Sequence, residues 1–157
     1  MRRNDREITS LDEKLEIIDK CKVCRLALAE DNVPYIVPVN FGYSFNNETL
    51  TLYFHSAVEG KKLDILRKNN KVCFEMDCDT KLIEANTASK CSYAFKSIIG
   101  SGKVYFSDDA KEKLSALNLL MKHQTGKEIE NRFSDSDLAK VAVYKLVVDE
   151  FSGKKRE

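Results

Sequence analysis

The chain lacks most of the features that would move it away from ordinary globular chemistry. It has no tryptophan, only two prolines and only two histidines in 157 residues. No apolar stretch approaches the ~18 residues that a transmembrane helix requires. The charged start Met1-Arg2-Arg3-Asn4-Asp5-Arg6-Glu7 has no apolar segment of the secretory-signal kind. Neither charge dominates: 26 Lys and Arg stand against 25 Asp and Glu, a net charge of +1. No field of one sign therefore recruits nucleic acid or an anionic membrane. No Ser-His-Asp order, Gly-rich dinucleotide loop or P-loop stands out. The expectation is a cytoplasmic protein with neither nucleic acid nor membrane as partner.

Five cysteines, an odd number without a secretion signal, argue against a disulfide framework. Cys21-x-x-Cys24 and Cys73-x4-Cys78 could be assembled on paper into a four-thiolate zinc site. The second spacing is loose, however, and both pairs overlap apparent strands. Cys21-x-x-Cys24 also lacks the flanking Gly/Pro helix start of a thioredoxin-like pair. Buried small hydrophobes are the better reading, with no metal expected.

What is present is a chain with 43% hydrophobic and 32% charged residues. That composition suits one domain over 1–157 with a sizeable core, leaving 1–9 and 152–157 as loose or dimer-contacting ends. The organising stretch is Leu50 to Leu63. Leu50, Leu52 and Phe54 alternate with Thr51, Tyr53 and His55, the period of a half-buried strand. Ser56 with Glu59 three residues on reads as a capping box opening a helix, with Leu63 and Leu66 inward. A strand passing straight into a helix presents free N–H groups and the positive end of the helix dipole. Lys61 and Lys62 one turn in could close over an anion there. The alternative is an ordinary strand–helix junction with two solvated lysines.

Around this stretch, Ser10 and Glu13 open a helix to about Lys20, with Leu11, Leu15 and Ile18 on one face. Val23 to Ala29 reads as a strand, and Glu30-Asp31-Asn32 as its turn. Pro34 to Tyr43 reads as a second strand whose Pro38 marks an edge or a bulge. Such an interruption frees backbone groups for a ligand, or merely turns a barrel corner. Asn46-Asn47-Glu48 makes a hairpin. Lys71 to Asp77 is a strand, polar Asp79 to Lys90 a surface loop, and Ser92 to Phe106 a long strand. In that strand Gly100 and Gly102 suggest a bend or a close approach, and Tyr93 and Phe95 read as core. Asp108-Asp109 opens a helix to about His123, which is read as a helix C-terminal residue; Gly126 closes the region. Ser134 or Asp135 caps a short turn, and Val141 to Phe151 is the last strand. Hairpins dominate, so the class is α+β with an antiparallel β-barrel core.

Several of these segments together resemble the FMN-binding split-barrel proteins related to pyridoxamine 5′-phosphate oxidase, and within them the nitroimidazole-resistance (Nim-type) reductases. The segments are Cys24-Arg25-Leu26-Ala27, Pro34 to Phe41, Leu52 to Ala57 with Gly60-Lys61-Lys62-Leu63, Phe95 to Val104, and Val143-Tyr144-Lys145-Leu146 with Phe151 to Lys154. The resemblance implies a split β-barrel of six or more mostly antiparallel strands, and a homodimer holding FMN between subunits. Lys61 and Lys62 would hold the FMN phosphate, and Ser56 with the neighbouring Phe54 and Ala57 would also bind FMN. The strand at Pro38, Val39 and Asn40 would lie along the ring, Lys96 and Ser97 would supply a polar ring contact, and His55 would be the catalytic group beside the flavin. The activity implied is reduction of a small planar, nitro-aromatic-like acceptor, with electrons from NAD(P)H or a reductase. A flavin-storage module, or a barrel for haem or a deazaflavin, are the alternatives. The resemblance departs at Asn70, where a proline usually ends the phosphate helix. The C-terminal Arg and Trp that grip a pyridoxal-type substrate are also not evident, since the chain has no Trp, which argues against pyridoxamine phosphate oxidation itself.

Overall fold

The computed structural model describes residues 3–128 and 133–157. Met1 and Arg2 of the expected loose N-terminal end lie outside that range. In chain order the elements are β1 (Glu7–Ile8), α1 (Leu11–Lys20), β2 (Val23–Glu30), β3 (Val33–Asn40), β4 (Gly42–Asn46), β5 (Thr49–Ala57), α2 (Lys61–Lys68), β6 (Lys71–Ile83), β7 (Ser92–Ser107), α3 (Ala110–Thr125), α4 (Asp135–Ala139) and β8 (Val141–Arg156). Every strand pairing is antiparallel. The strands form one sheet in the order β3-β2-β6-β7-β8-β5-β4, with β1 added on β8. This is an α+β split-barrel fold.

Local chemistry sets the hairpins. Asp31 and Asn32 have φ of 49° and 63°, and Asn47 and Glu48 have φ of 49° and 61°. Two consecutive left-handed residues are what a tight hairpin needs, and Asn and Asp adopt that region at low cost. Pro34 and Pro38 both fall on β3, the terminal strand of the sheet, where a missing N–H deprives no neighbour. The β2–β3 register runs without a shift, so Pro38 marks an edge rather than a bulge.

Strand alternation fills the interior. Leu26, Phe54, Phe74, Met76, Ile98, Tyr144 and Leu146 are each at most 1% exposed and belong to one cluster. Ile17 and Ile18 of α1 join it, as do Leu63, Ile65 and Leu66 of α2; Leu11, expected on the inner face of α1, is exposed. Ala116, Leu117 and Leu138, from α3 and α4, cover Val143 in a second cluster. Side chains thus occupy the barrel, and a ligand is left with its outer surface and rim.

Three expectations change. Residues 79–83, read as loop, continue β6 after a register shift between Cys78 and Lys81, and Leu82 pairs with Tyr93. Both partners are exposed, so this end of the hairpin has no face to bury and shows no alternation. Tyr93, read as core, is 56% exposed for the same reason. Residues 152–156 are not loose: they extend β8, with Glu7 opposite Lys154 and Phe95 opposite Arg156. Backbone ladder bonds hold this charged segment, and hydrophobic periodicity does not report them.

Candidate functional site

Phe54, His55, Ser56 and Ala57 close β5, opposite Tyr144, Val143, Ala142 and Val141 of β8. The helix that follows does not start at Ser56. The ladder to β8 keeps the chain extended through Ala57, and the Ser56 hydroxyl donates to its neighbour's carbonyl, Ala57 O, at 2.8 Å. The N-cap is Gly60 at φ 138°, a conformation that side-chain-bearing residues rarely adopt, so glycine places the turn. The expected Ser56–Glu59 capping box is therefore absent.

This shift leaves α2 with an open N-terminus. Side chains cap the other three α-helices: Ser10 for α1, Asp109 for α3 and Ser134 for α4. Among the described residues no side chain caps α2, while Leu63 N–H and Asp64 N–H already donate to Gly60 O. The N–H groups of Lys61 and Lys62 face the opening at the positive end of the helix.

The two lysines diverge, as adjacent residues on a helix must. Lys61 Nζ lies 4.7 Å from the centre of the Tyr35 ring on β3. Lys62 Nζ lies 6.0 Å from the Tyr144 ring, which stacks on Phe54 at 5.4 Å. Lys62 is half-buried and makes no ion pair or hydrogen bond among the described residues; burial pushes its ammonium below the ordinary lysine value. His55 is also lowered, first by burial and then by the charge of Lys62. The imidazole therefore stays neutral at neutral pH, with one ring nitrogen to donate and one to accept. Tyr144 is fully buried, and its hydroxyl finds no partner among the described residues.

The remaining expected site residues lie apart. Pro38, Val39 and Asn40 end β3; Asn40 Nδ2 donates to Lys22 O at 3.0 Å and to Gln124 Oε1 at 3.2 Å. Ser97 faces Lys154 and Lys96 faces Lys155 on β8. Ser97 thus sits opposite a residue ten positions beyond Tyr144 along β8, roughly 33 Å of strand. One chain brings together Phe54, His55 and Lys62, with Lys61 on the neighbouring side, but not Lys96 and Ser97. Tyr144 and Tyr35 were given no role from the sequence. Their inward or sheet-face position was readable from alternation, but not their pairing with the lysines.

Uncapped helix N–H groups and an unpaired, partly desolvated ammonium suit a phosphate. The neutral His55 beside them offers a donor and an acceptor to a heterocyclic ring, so the residues present fit a phosphorylated flavin. Among the described residues there is no group of three or more His, Cys, Asp or Glu placed to hold a metal. Nor is any helix long and apolar enough to cross a membrane.

The fold and this rim site define a split-barrel protein. Residues 10–155 match the family described as pyridoxamine 5′-phosphate oxidase, and the chain belongs to that family. It is 34% identical to a candidate 5-nitroimidazole antibiotic resistance protein from Bacteroides thetaiotaomicron, with a TM-score of 0.81 over 95% of this chain and 86% of that one. A FAD-binding protein from Mesorhizobium loti is 26% identical, with a TM-score of 0.67 over 97% and 98%. A FAD- and haem-binding protein from Mycobacterium smegmatis shares the fold at 18% identity, with a TM-score of 0.84 over 97% and 74%. A search of curated proteins returned no match.

Proposed function

We propose that this chain is an FMN-dependent oxidoreductase that acts as a homodimer on a small, planar, electron-poor acceptor such as a nitro-aromatic. The observation that carries the reading is Lys62, a half-buried ammonium that among the described residues has no counter-ion and lies at a helix N-terminus without a side-chain cap. Partial burial of an unpaired charge costs free energy, and a phosphate at this position offsets that cost. The 34% identity to the nitroimidazole-resistance candidate supports the acceptor class.

In this reading Lys62, Lys61 and the α2 N–H groups hold the phosphate, while Ser56 and Ala57 border it. Phe54 and Tyr144 back the site from the core. His55 offers its neutral imidazole to the ring or to the acceptor, as donor or as acceptor of a proton. The bound flavin supplies the electron-transfer chemistry, with NAD(P)H or a reductase as the source. The separation of Lys96 and Ser97 from Lys62 supports a dimer, because both groups can touch one ligand only if a second copy contributes one of them. Ile36 and Ile99, 65% and 53% exposed, supply apolar surface for such a contact.

The test is turnover of NAD(P)H with a nitro-aromatic acceptor by the FMN-loaded protein, followed by acceptor absorbance. Acceptor reduction that falls at least tenfold in His55→Ala, with FMN retained, supports the assignment. An FMN-loaded protein that reduces no acceptor, even when its flavin is chemically reduced, leaves the storage-module reading.

A further inference from the structure

Two of the five cysteines meet across the fold at a place that the proposed function does not use. Cys21 closes α1, its N–H donating to Ile17 O at 3.0 Å. Cys78 is the last regular residue of β6 before the register shift, paired with Lys96. Immediately beside them, Lys20 Nζ and Asp79 Oδ1 form an ion pair at 2.5 Å, which ties the two segments together. Cys21 belongs to the core cluster at 3% exposure, and Cys78 packs against it while remaining partly open to solvent. The Lys20–Asp79 pair brings the flanking Cys21 and Cys78 side chains to the same side of the core cluster, near enough for the charge of one to act on the other. Cys24, the other half of the C-x-x-C spacing, is fully buried on β2, and Cys73 and Cys91 are exposed elsewhere.

We propose that Cys21 and Cys78 are a reversible oxidation site, at which a peroxide converts the facing thiols into a disulfide that staples α1 to the β6–β7 hairpin. Cys78 reacts first, since it is the more open of the two to solvent; the nearby Asp79 charge opposes those of Lys20 and Lys96. Its thiolate attacks one peroxide oxygen. The O–O bond breaks, an S–O bond forms, and hydroxide leaves and takes up the proton that the thiol released. The Cys21 thiol then attacks the sulfenic sulfur. The S–S bond forms, the S–O bond breaks, and a second water carries away the remaining proton. Two electrons pass from the sulfurs to the peroxide.

Burial sets the pace. It pushes the Cys21 thiol up to about 12 and raises Cys78 as well. Little thiolate exists at neutral pH, so the reaction is slow there and quickens as pH rises. The site is a response to sustained oxidant rather than a fast catalytic pair.

The test uses the full chain carrying Cys73→Ser and Cys91→Ser, which removes the exposed thiols. The protein is treated with hydrogen peroxide at pH 7 and pH 9, blocked with an alkylating reagent, unfolded and mapped by mass spectrometry. The expected result is loss of two hydrogens in a peptide pair linking Cys21 to Cys78. The link should form faster at pH 9 and be reversed by dithiothreitol, and the melting temperature should rise by roughly 5 °C. In Cys21→Ala the Cys78 sulfenic acid should persist and be captured by dimedone. Mapping of the parent protein does not depend on that variant folding. If both thiols remain fully alkylatable after unfolding, or the link runs to Cys24 or between chains, the proposal is overturned.

Discussion

The two histidines stand in opposite surroundings. His123 on α3 is buried, with Nδ1 2.8 Å from Phe41 O and Nε2 3.0 Å from Asp19 O. Gln124 Nε2 donates to the same Phe41 O at 2.9 Å, and Lys22 Nζ donates to His123 O at 2.7 Å and Asp19 O at 2.9 Å. These bonds gather the end of α1, the β3–β4 junction and the end of α3 into one polar knot. His55 is exposed at the end of β5, makes no hydrogen bond among the described residues, and shares its surroundings with an unpaired lysine. One region's polar groups face partners within the chain; those of the other have none among the described residues. This contrast supports the proposal that His123 is structural and His55 functional.

The comparison can be broken first at the closed region. A Cβ on Gly42 would lie 2.4 Å from Leu120 N, where backbone cannot yield, so Gly42→Ala should destabilise the fold by about 3 kcal/mol. Loss of the His123 ring leaves a void between Phe41 and Asp19, whose carbonyls keep only Gln124 Nε2 and Lys22 Nζ as donors. His123→Ala should therefore cost about 2 kcal/mol in urea unfolding. In both variants the folded fraction should bind FMN as the parent does. At the open region the order reverses. Lys62→Ala should weaken FMN binding at least tenfold, or about 1.4 kcal/mol, in a fluorescence-quenching titration. The loss in Lys61→Ala should be smaller, since Lys61 lies over Tyr35. His55→Ala should change unfolding stability by less than about 0.5 kcal/mol.

The smallest effect is on pH dependence. His55 has a folded value below the 6.5 of a free imidazole, so the folded state binds fewer protons than the unfolded one. Its contribution to stability is complete above about pH 6.5 and is lost as pH falls through the lowered folded value. His55→Asn should flatten that part of the stability–pH curve; an unchanged slope would show that neither burial nor the charge of Lys62 lowers the ring.

Much of this was legible in the sequence because period-2 alternation and turn residues act locally. The β5 alternation, the two hairpin turns and the Gly126 helix end follow from residues within a few positions of one another. The helix start at Gly60 was missed because a Ser-x-x-Glu spacing is only an option for the chain, and pairing of Ser56 and Ala57 with β8 overrides it. The charged end of β8 and the exposed end of β6 were missed for a related reason: ladder bonds between distant strands leave no mark on local composition. Within the candidate site, the proximity of Lys62, His55 and Tyr144 joins α2, β5 and β8, and only the pairing of β5 with β8 creates it.

The open region is proposed to hold a flavin phosphate. The most direct measurement is the absorption spectrum of the protein purified without added cofactor, repeated after dialysis against excess FMN and removal of the unbound fraction. The expected result is a pair of flavin bands corresponding to about one FMN per chain. A protein that remains colourless after dialysis, while its circular dichroism shows a folded sheet, would contradict the claim.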